Sequence, residues 1–145
     1  MAYRINKVDI WSGEIDDRAG GLAARLAPLA AAGVDLQFVV ARRQPHLPGK
    51  GIVFLGGVKG AKAAKAAAAA GLTKAADVAG LRVEGPNKPG DCYRIAQRVA
   101  DAGLTLRGLS ASVIGNKYTV LLAFDSAADA DAAARAIRAK TPRRK

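Results

Sequence analysis

The chain has 145 residues, half of them hydrophobic and about a quarter charged, which suits one ordinary domain or two very small ones and excludes a large multidomain enzyme. Its only cysteine is Cys92 and its only histidine is His46. An internal disulfide and a metal cage built from several thiolates or imidazoles are therefore excluded. No apolar run approaches the roughly 20 residues that cross a bilayer, and the first residues lead into polar sequence rather than a signal-peptide core. We expect a cytoplasmic protein with no membrane association, metal or other cofactor.

The formal net charge of +11 makes an anionic partner such as nucleic acid plausible. Much of the excess lies at the end of the chain, in a basic tail at positions 140–145. Aromatic residues make up only 5% of the chain, so few rings are present on which unpaired bases could stack. A basic nucleic-acid-binding protein with a ferredoxin-like sheet therefore remains the alternative interpretation.

In chain order, the first elements are a strand at residues 8–11 and an amphipathic helix within residues 18–36. Two strands follow at residues 36–41 and 51–55, separated by a Pro/Gly-rich connection. An alanine-rich helix at residues 60–70 and a short strand at residues 72–75 complete the pattern strand, helix, strand, strand, helix, strand.

The second half repeats this order. Residues 88–106 align with residues 18–36 at a constant spacing and without a gap, and a glycine stands at both ends of each amphipathic stretch. A strand at residues 80–83 precedes this helix, and a hairpin of residues 105–113 and 117–124 follows it, before a helix at residues 127–139. The remaining residues contain Pro142 and several charges, a poor strand, so we expect the second copy to lack its last strand.

The repeat predicts an α+β protein of two ferredoxin-like βαββαβ units, each an antiparallel sheet with its helices on one face. We place the units at residues 1–76 and 77–145. The truncated second unit would then have an exposed sheet edge, which favours a homodimer.

Two pairs of motifs carry a resemblance to a known family. Residues 17–20, DRAG, and residues 87–90, NKPG, are similar to the Asp-Arg-Pro-Gly turn of the ACT domain. Residues 32–36, AGVDL, and residues 102–106, AGLTL, are similar to its Ala-Gly-Ile-Asn-Ile segment. The chain as a whole resembles a small tandem ACT-domain protein from Val8 to Ala139.

The resemblance implies a regulatory module without catalytic activity that binds a small molecule, most often an amino acid, at an interface between ACT domains. In that family the turn before the first helix and the start of the second strand line the pocket. The matching positions here are Asp17, Gly20, Gly21, Val34, Asp35, Asn87, Gly90, Asp91 and Thr105.

The residues themselves allow this chemistry. A glycine turn before a helix presents backbone N–H groups and the positive end of the helix dipole, which suit a carboxylate. Side-chain oxygens of Asp17, Asp35 or Asn87 could accept hydrogen bonds from the ammonium group of the same ligand. The alternatives stay open: Asp17 and Asn87 are also good helix N-caps, and Asp35 also fits a solvated strand edge.

Other features favour structural roles. The lone His46 in a Pro-rich loop gives no catalytic arrangement with Cys92 or a serine. Cys92 matches an apolar position of the first copy, so we expect it to be buried and inert. Lys59, Lys62 and Lys65 are spaced to share one helix face, which we interpret as a solvated face.

Overall fold

The computed structural model describes residues 3–139, so the predicted basic tail at positions 140–145 lies outside the described residues. Within that range the strands are β1 (Arg4–Val8), β2 (Trp11–Asp16), β3 (Phe38–Arg43), β4 (Lys50–Gly56), β5 (Thr73–Lys74), β6 (Ala79–Pro86), β7 (Gly108–Ile114) and β8 (Lys117–Phe124). The helices are α1 (Gly21–Ala31), α2 (Gly60–Ala69), α3 (Asp91–Asp101) and α4 (Ala127–Arg138). None of the helices in the described part of the chain is long and apolar enough to cross a membrane.

The chain divides into two compact units, one of which is Asp9–Ala76. Its antiparallel sheet has the strand order β3-β4-β2-β5. Alternate residues of β4, Val53 and Leu55, are fully buried and pack with Leu29 of α1 and Ala67 of α2. The small side chains of the alanine-rich α2 let this helix pack close to the sheet.

The other unit combines Met1–Val8 with Asp77–Lys145. Its antiparallel sheet has the order β1-β6-β8-β7. The core-facing row of β8 is buried along its whole length and packs against α3 and α4; it consists of Tyr118, Val120, Leu122 and Phe124. When β1 is counted as the fourth strand, this order is the same as in the first unit. The predicted fold class of two ferredoxin-like units is confirmed.

The fourth strand of the second unit comes from the start of the chain. Strand β1 pairs antiparallel with β6, from Arg4 opposite Glu84 to Val8 opposite Gly80. The edge that the sequence leaves open is thus covered, and an open edge at this position no longer supports a homodimer. The sequence grouped residues 1–8 with the first copy because a five-residue strand with one buried side chain, Ile5, has no periodicity that assigns it to a sheet.

The predicted strand at residues 8–11 is wrong in its position. Residues Asp9 and Ile10 connect two strands, and the first strand of the first unit is β2. The remaining elements lie close to their predicted bounds, including the short strand β5 and the tight hairpin between β7 and β8.

Ile5→Ala tests the assignment of β1 to the second unit. Ile5 is 9% exposed and lies in the core of that unit, so its truncation should lower the free energy of unfolding by about 2–4 kcal/mol in urea denaturation. Hydrogen exchange should accelerate in β6 and β8. Acceleration confined to β2 and β4 would contradict the assignment.

Candidate functional site

A strand-to-helix turn with two glycines links β2 to α1. Gly20 is the N-cap of α1 and has φ of +81°, a left-handed conformation that favours glycine. A Cβ atom at Gly21 would lie 2.0 Å from the carbonyl oxygen of Asp16, so only glycine fits there. A Cβ atom at Gly20 would meet nothing within 4 Å, which leaves the helix start open to a ligand.

The matching turn of the second unit has the same backbone conformation but different side chains. Gly90 is the N-cap of α3 with φ of +85°. Asp91 takes the place of Gly21, and its carboxylate is 3% exposed. One carboxylate oxygen accepts the Lys88 backbone N–H at 2.7 Å, and the other accepts from the Arg94 guanidinium at 2.6 Å.

Neither helix start has a side-chain cap. The first hydrogen bond of each helix runs from the N–H of Ala24 to the carbonyl of Gly20, and from the N–H of Arg94 to the carbonyl of Gly90. The N–H groups of the two residues before each donor therefore point out of the helix start. By contrast, Ser126 caps α4 by accepting from the N–H of Asp129 at 3.1 Å. Both helix starts can therefore donate to an anion, but only that of α1 is open: at α3 the Asp91 carboxylate lies in the first turn, and the Arg94 guanidinium lies 3.0 Å from a Cβ atom built at Gly90.

Asp17 and Asn87 are not helix N-caps, because glycine occupies both cap positions. The Asp17 carboxylate accepts from Arg43 at 2.9 Å, and its backbone N–H donates to Gly49. The backbone N–H of Asn87 donates to the carbonyl of Asn116 at 2.8 Å. Both residues join their turn to the neighbouring strand connection.

Exposed ion pairs surround the first turn. Lys50 donates to Asp16 at 2.9 Å, and Arg18 lies 3.5 Å from the same carboxylate. The hydrogen bond from Lys50 holds the pKa of Asp16 below its usual value. Ion pairs this exposed contribute little to the free energy of unfolding. Their Lys and Arg side chains contribute positive potential that attracts an anion to the start of α1.

The buried carboxylate of Asp91 is ionised. Burial alone would raise the pKa of Asp91, but the hydrogen bonds from Arg94 and the Lys88 N–H outweigh burial, and the pKa lies below its usual value of 3.8. Its charge also lies in the first turn of α3, where the helix dipole stabilises an anion.

The second strand of each unit, β3 in the first and β7 in the second, begins at the end of the sheet opposite the glycine turn. In the first unit β2 ends with Asp16 opposite Lys50, whereas β3 begins with Phe38 opposite Gly56. The half-buried Val34 and the exposed Asp35 therefore lie far from Gly20. They line a groove of about 350 Å³ together with Lys59 and Lys62.

The second unit repeats this separation. Exposed Thr105 lies close to Arg107, whose N–H donates to Ala123, while the Asn87 turn is bonded to Asn116 at the opposite end of β8. A single unit thus does not bring together the two halves of the pocket that the sequence predicts.

A groove beside the second turn was not predicted. It has a volume of about 500 Å³ and is lined by Tyr3, Lys88, Pro89, Arg94 and Arg98. The Arg98 guanidinium lies 5.7 Å from the centre of the Tyr3 ring, within cation–π range. Tyr3 reaches this groove only because β1 joins the second sheet, and no sequence signal indicated that pairing.

Cys92 is exposed, so the prediction that it is buried was wrong. It is the second residue of α3, and the buried side of that helix is formed by Ile95 and Val99. The apolar match at Leu22 is itself only partly buried. In residues 3–139 no group of three or more His, Cys, Asp or Glu side chains could hold a metal ion.

Several solved structures of aspartate kinases and of their regulatory subunits have this arrangement. The regulatory subunit of aspartate kinase from Thermus thermophilus is 18% identical, with 93% of each chain covered and a TM-score of 0.63. The corresponding subunit from Thermus flavus is 20% identical, with 94% of this chain and 93% of that chain covered and a TM-score of 0.59. This chain has the tandem ACT-domain fold.

Aspartate kinase from Synechocystis contains the same fold as part of a longer chain: the match covers 99% of this chain and 28% of that one, with 16% identity and a TM-score of 0.64. No protein-family model matches the chain, and no curated protein matches it in sequence. At these identities the likeness concerns the tandem ACT-domain fold alone.

Asp91→Asn tests the energetic role of the buried carboxylate. The variant should lower the free energy of unfolding at pH 7 by about 1–3 kcal/mol. Because the pKa of Asp91 is lowered in the folded state, the wild type should have the higher free energy of unfolding above pH 3.8. This difference should disappear as the pH falls through the folded-state pKa. Urea unfolding of both proteins across this range measures the difference.

Asp17→Asn is the matched control, because Asp17 forms an exposed ion pair and its loss should cost less than about 1 kcal/mol. Equal stability of Asp91→Asn and the wild type at pH 7 would contradict the role assigned to Asp91.

Proposed function

We propose that this protein is a regulatory protein without catalytic activity that binds an amino acid at its strand-to-helix turns. The observation that carries the proposal is the pair of helix starts, α1 and α3, which each have a left-handed glycine cap and no side-chain cap. The tandem ACT-domain fold supports it, since regulatory subunits of aspartate kinase share that fold. We also propose that the protein is located in the cytoplasm.

An amino acid fits these turns through both of its charged groups. Its carboxylate accepts from the first-turn N–H groups, those of Leu22 and Ala23 in the first unit. Its ammonium group donates to side-chain oxygens of the second half of the pocket, of which Asp35 is the charged member. Because that half lies at the other end of its own unit, the ligand is held at an interface between ACT-like domains, and a homodimer supplies such an interface.

The nucleic-acid alternative is less well supported. RNA-binding sheets of this topology stack bases on aromatic side chains. On the face opposite the helices, the central strands β6 and β8 of the second unit present no aromatic side chain, and the central strands β2 and β4 of the first unit present one, Phe54. Lys62 and Lys65 of α2 are exposed, as expected for a solvated face.

A thermal-shift screen against the twenty amino acids tests the proposed function. A ligand present at about 100 times its Kd should add about 2.7 kcal/mol of stability. We expect one amino acid or a few related ones to shift the transition, and no shift with any of them at millimolar concentration would contradict the proposal.

Ala23→Glu then locates the binding turn. The exposed Ala23 is the third residue of α1, where a glutamate caps the helix start itself, stabilises the helix by about 0.3–1 kcal/mol and repels a carboxylate. Affinity for the amino acid should fall at least about tenfold, equal to about 1.4 kcal/mol. Because stability rises, unfolding cannot account for the loss.

Ala23→Gln is the neutral control and should retain most of the affinity. Tyr93→Glu and Tyr93→Gln are the matching pair in α3. If calorimetric titration shows full affinity in both glutamate variants, the ligand binds away from the turns.

A further inference from the structure

Three positively charged side chains line the groove beside the second glycine turn: Lys88, Arg94 and Arg98. Tyr3 and Pro89 form the rest of its lining and give the groove an apolar part. Its volume of about 500 Å³ suits a small organic molecule. Among the described residues, no acidic side chain lines this groove, and all of its lining residues belong to one unit.

The charges of the groove are only partly balanced. The buried Asp91 carboxylate lies 2.6 Å from the Arg94 guanidinium and offsets one of the three positive charges, so two remain. Arg94 and Arg98 are four residues apart on α3, a spacing at which like charges destabilise a helix. An anion in the groove would relieve this repulsion.

Both guanidinium groups are held in place by partners in the fold. Arg94, besides its pair with the buried carboxylate, donates to the carbonyl oxygen of Pro89 at 3.0 Å. Arg98 donates to the carbonyl oxygen of Ile137 in α4 and lies 5.7 Å from the centre of the Tyr3 ring. A ligand therefore meets side chains that are already ordered, which lowers the entropic cost of binding.

The first copy of the repeat forms the same fold without these arginines. At the constant spacing of the repeat, Ala24 and Pro28 take the positions of Arg94 and Arg98. Helix α1 nevertheless has the same length and the same kind of glycine cap as α3. The counterpart of the strand that follows Tyr3 is β5, which has only two residues. The basic groove is thus an addition of the second unit to the turns that both units share.

We propose that this groove binds the phosphate group of a small phosphomonoester through Lys88, Arg94 and Arg98. A phosphomonoester has a charge of about −1.5 to −2 at pH 7 and three acceptor oxygens, which match the two unbalanced positive charges. The planar guanidinium of arginine also suits the geometry of phosphate. The organic part of the ligand then contacts Tyr3 and Pro89.

A single carboxylate fits the groove less well, because its one negative charge would leave a positive charge unbalanced. The phosphate site is also distinct from the proposed amino-acid site. That site uses backbone N–H groups at the helix starts, whereas the groove binds its ligand through cationic side chains.

Calorimetric titration of the protein with phenyl phosphate, adenosine monophosphate and glucose phosphate tests the groove, with no amino acid present. At least one of the three should bind with a Kd below about 1 mM at neutral pH. The ester that binds most tightly identifies the kind of organic part that the groove accepts. Its parent without phosphate, which is phenol, adenosine or glucose, should bind at least about tenfold more weakly.

Lys88→Gln and Lys65→Gln form a matched pair of variants. Both lysines are exposed and each substitution removes one positive charge, but Lys65 lies on α2 in the other unit. Lys88→Gln should weaken binding of the phosphomonoester at least about threefold, and Lys65→Gln should leave it unchanged. An equal loss in both variants would indicate attraction by the net charge of the whole protein and would overturn the site.

Arg98→Met removes a second cation and keeps a side chain that packs against the Tyr3 ring. It should weaken binding at least about tenfold, with circular dichroism to check the fold. If it fails to fold, the exposed Lys88→Gln still tests the site. Absence of binding by all three esters at about 10 mM, equal binding of the parent compounds, or full affinity in the folded variants would overturn the phosphate site.

Discussion

The pairing of β1 with β6 is the contact on which the rest of the structure depends. It completes the second sheet with a strand from the other end of the chain, and only Asp9 and Ile10 separate that strand from β2 of the first unit. It covers the edge of β6, places Ile5 in the core and positions Tyr3 beside the second turn. It also leaves β7 as the uncharged edge of that sheet.

The two units use one backbone turn with different side chains. In the first unit Gly21 allows the Asp16 carbonyl to approach the helix start, whereas in the second unit Asp91 fills the turn with a buried, ionised carboxylate. Both helix starts keep their uncapped first-turn N–H groups. The two turns therefore offer similar donors in different electrostatic surroundings, and their affinities for an anion should differ.

Much of the fold follows from local sequence. The repeated glycines, the apolar periodicity and the hairpin at Gly115 are short-range signals, and they predicted the order of elements in both units. The assignment of β1 depends on pairing across more than 70 residues, for which Arg4–Val8 provides no pattern. Local propensity likewise favoured Asp17 as a cap, whereas in the fold its carboxylate pairs with Arg43 from the end of β3.

The candidate site was predicted only in part for the same reason. The motifs identified the turns correctly as helix starts, since glycine in the left-handed conformation is a local requirement. They did not show that Gly20 and Asp35 lie at opposite ends of one unit, because that separation follows from strand register. The proposed site takes its two halves from different domains, so it cannot be predicted from either copy of the repeat alone.

The measurement that tests the central claim most directly is a two-dimensional ¹H–¹⁵N spectrum of the protein titrated with an amino acid that shifts the thermal transition. The account predicts that the largest amide shifts occur at Leu22 and Ala23, at Cys92 and Tyr93, or at both pairs. Saturable shifts confined to residues far from both turns, such as the Lys59 to Lys65 face of α2, would contradict it.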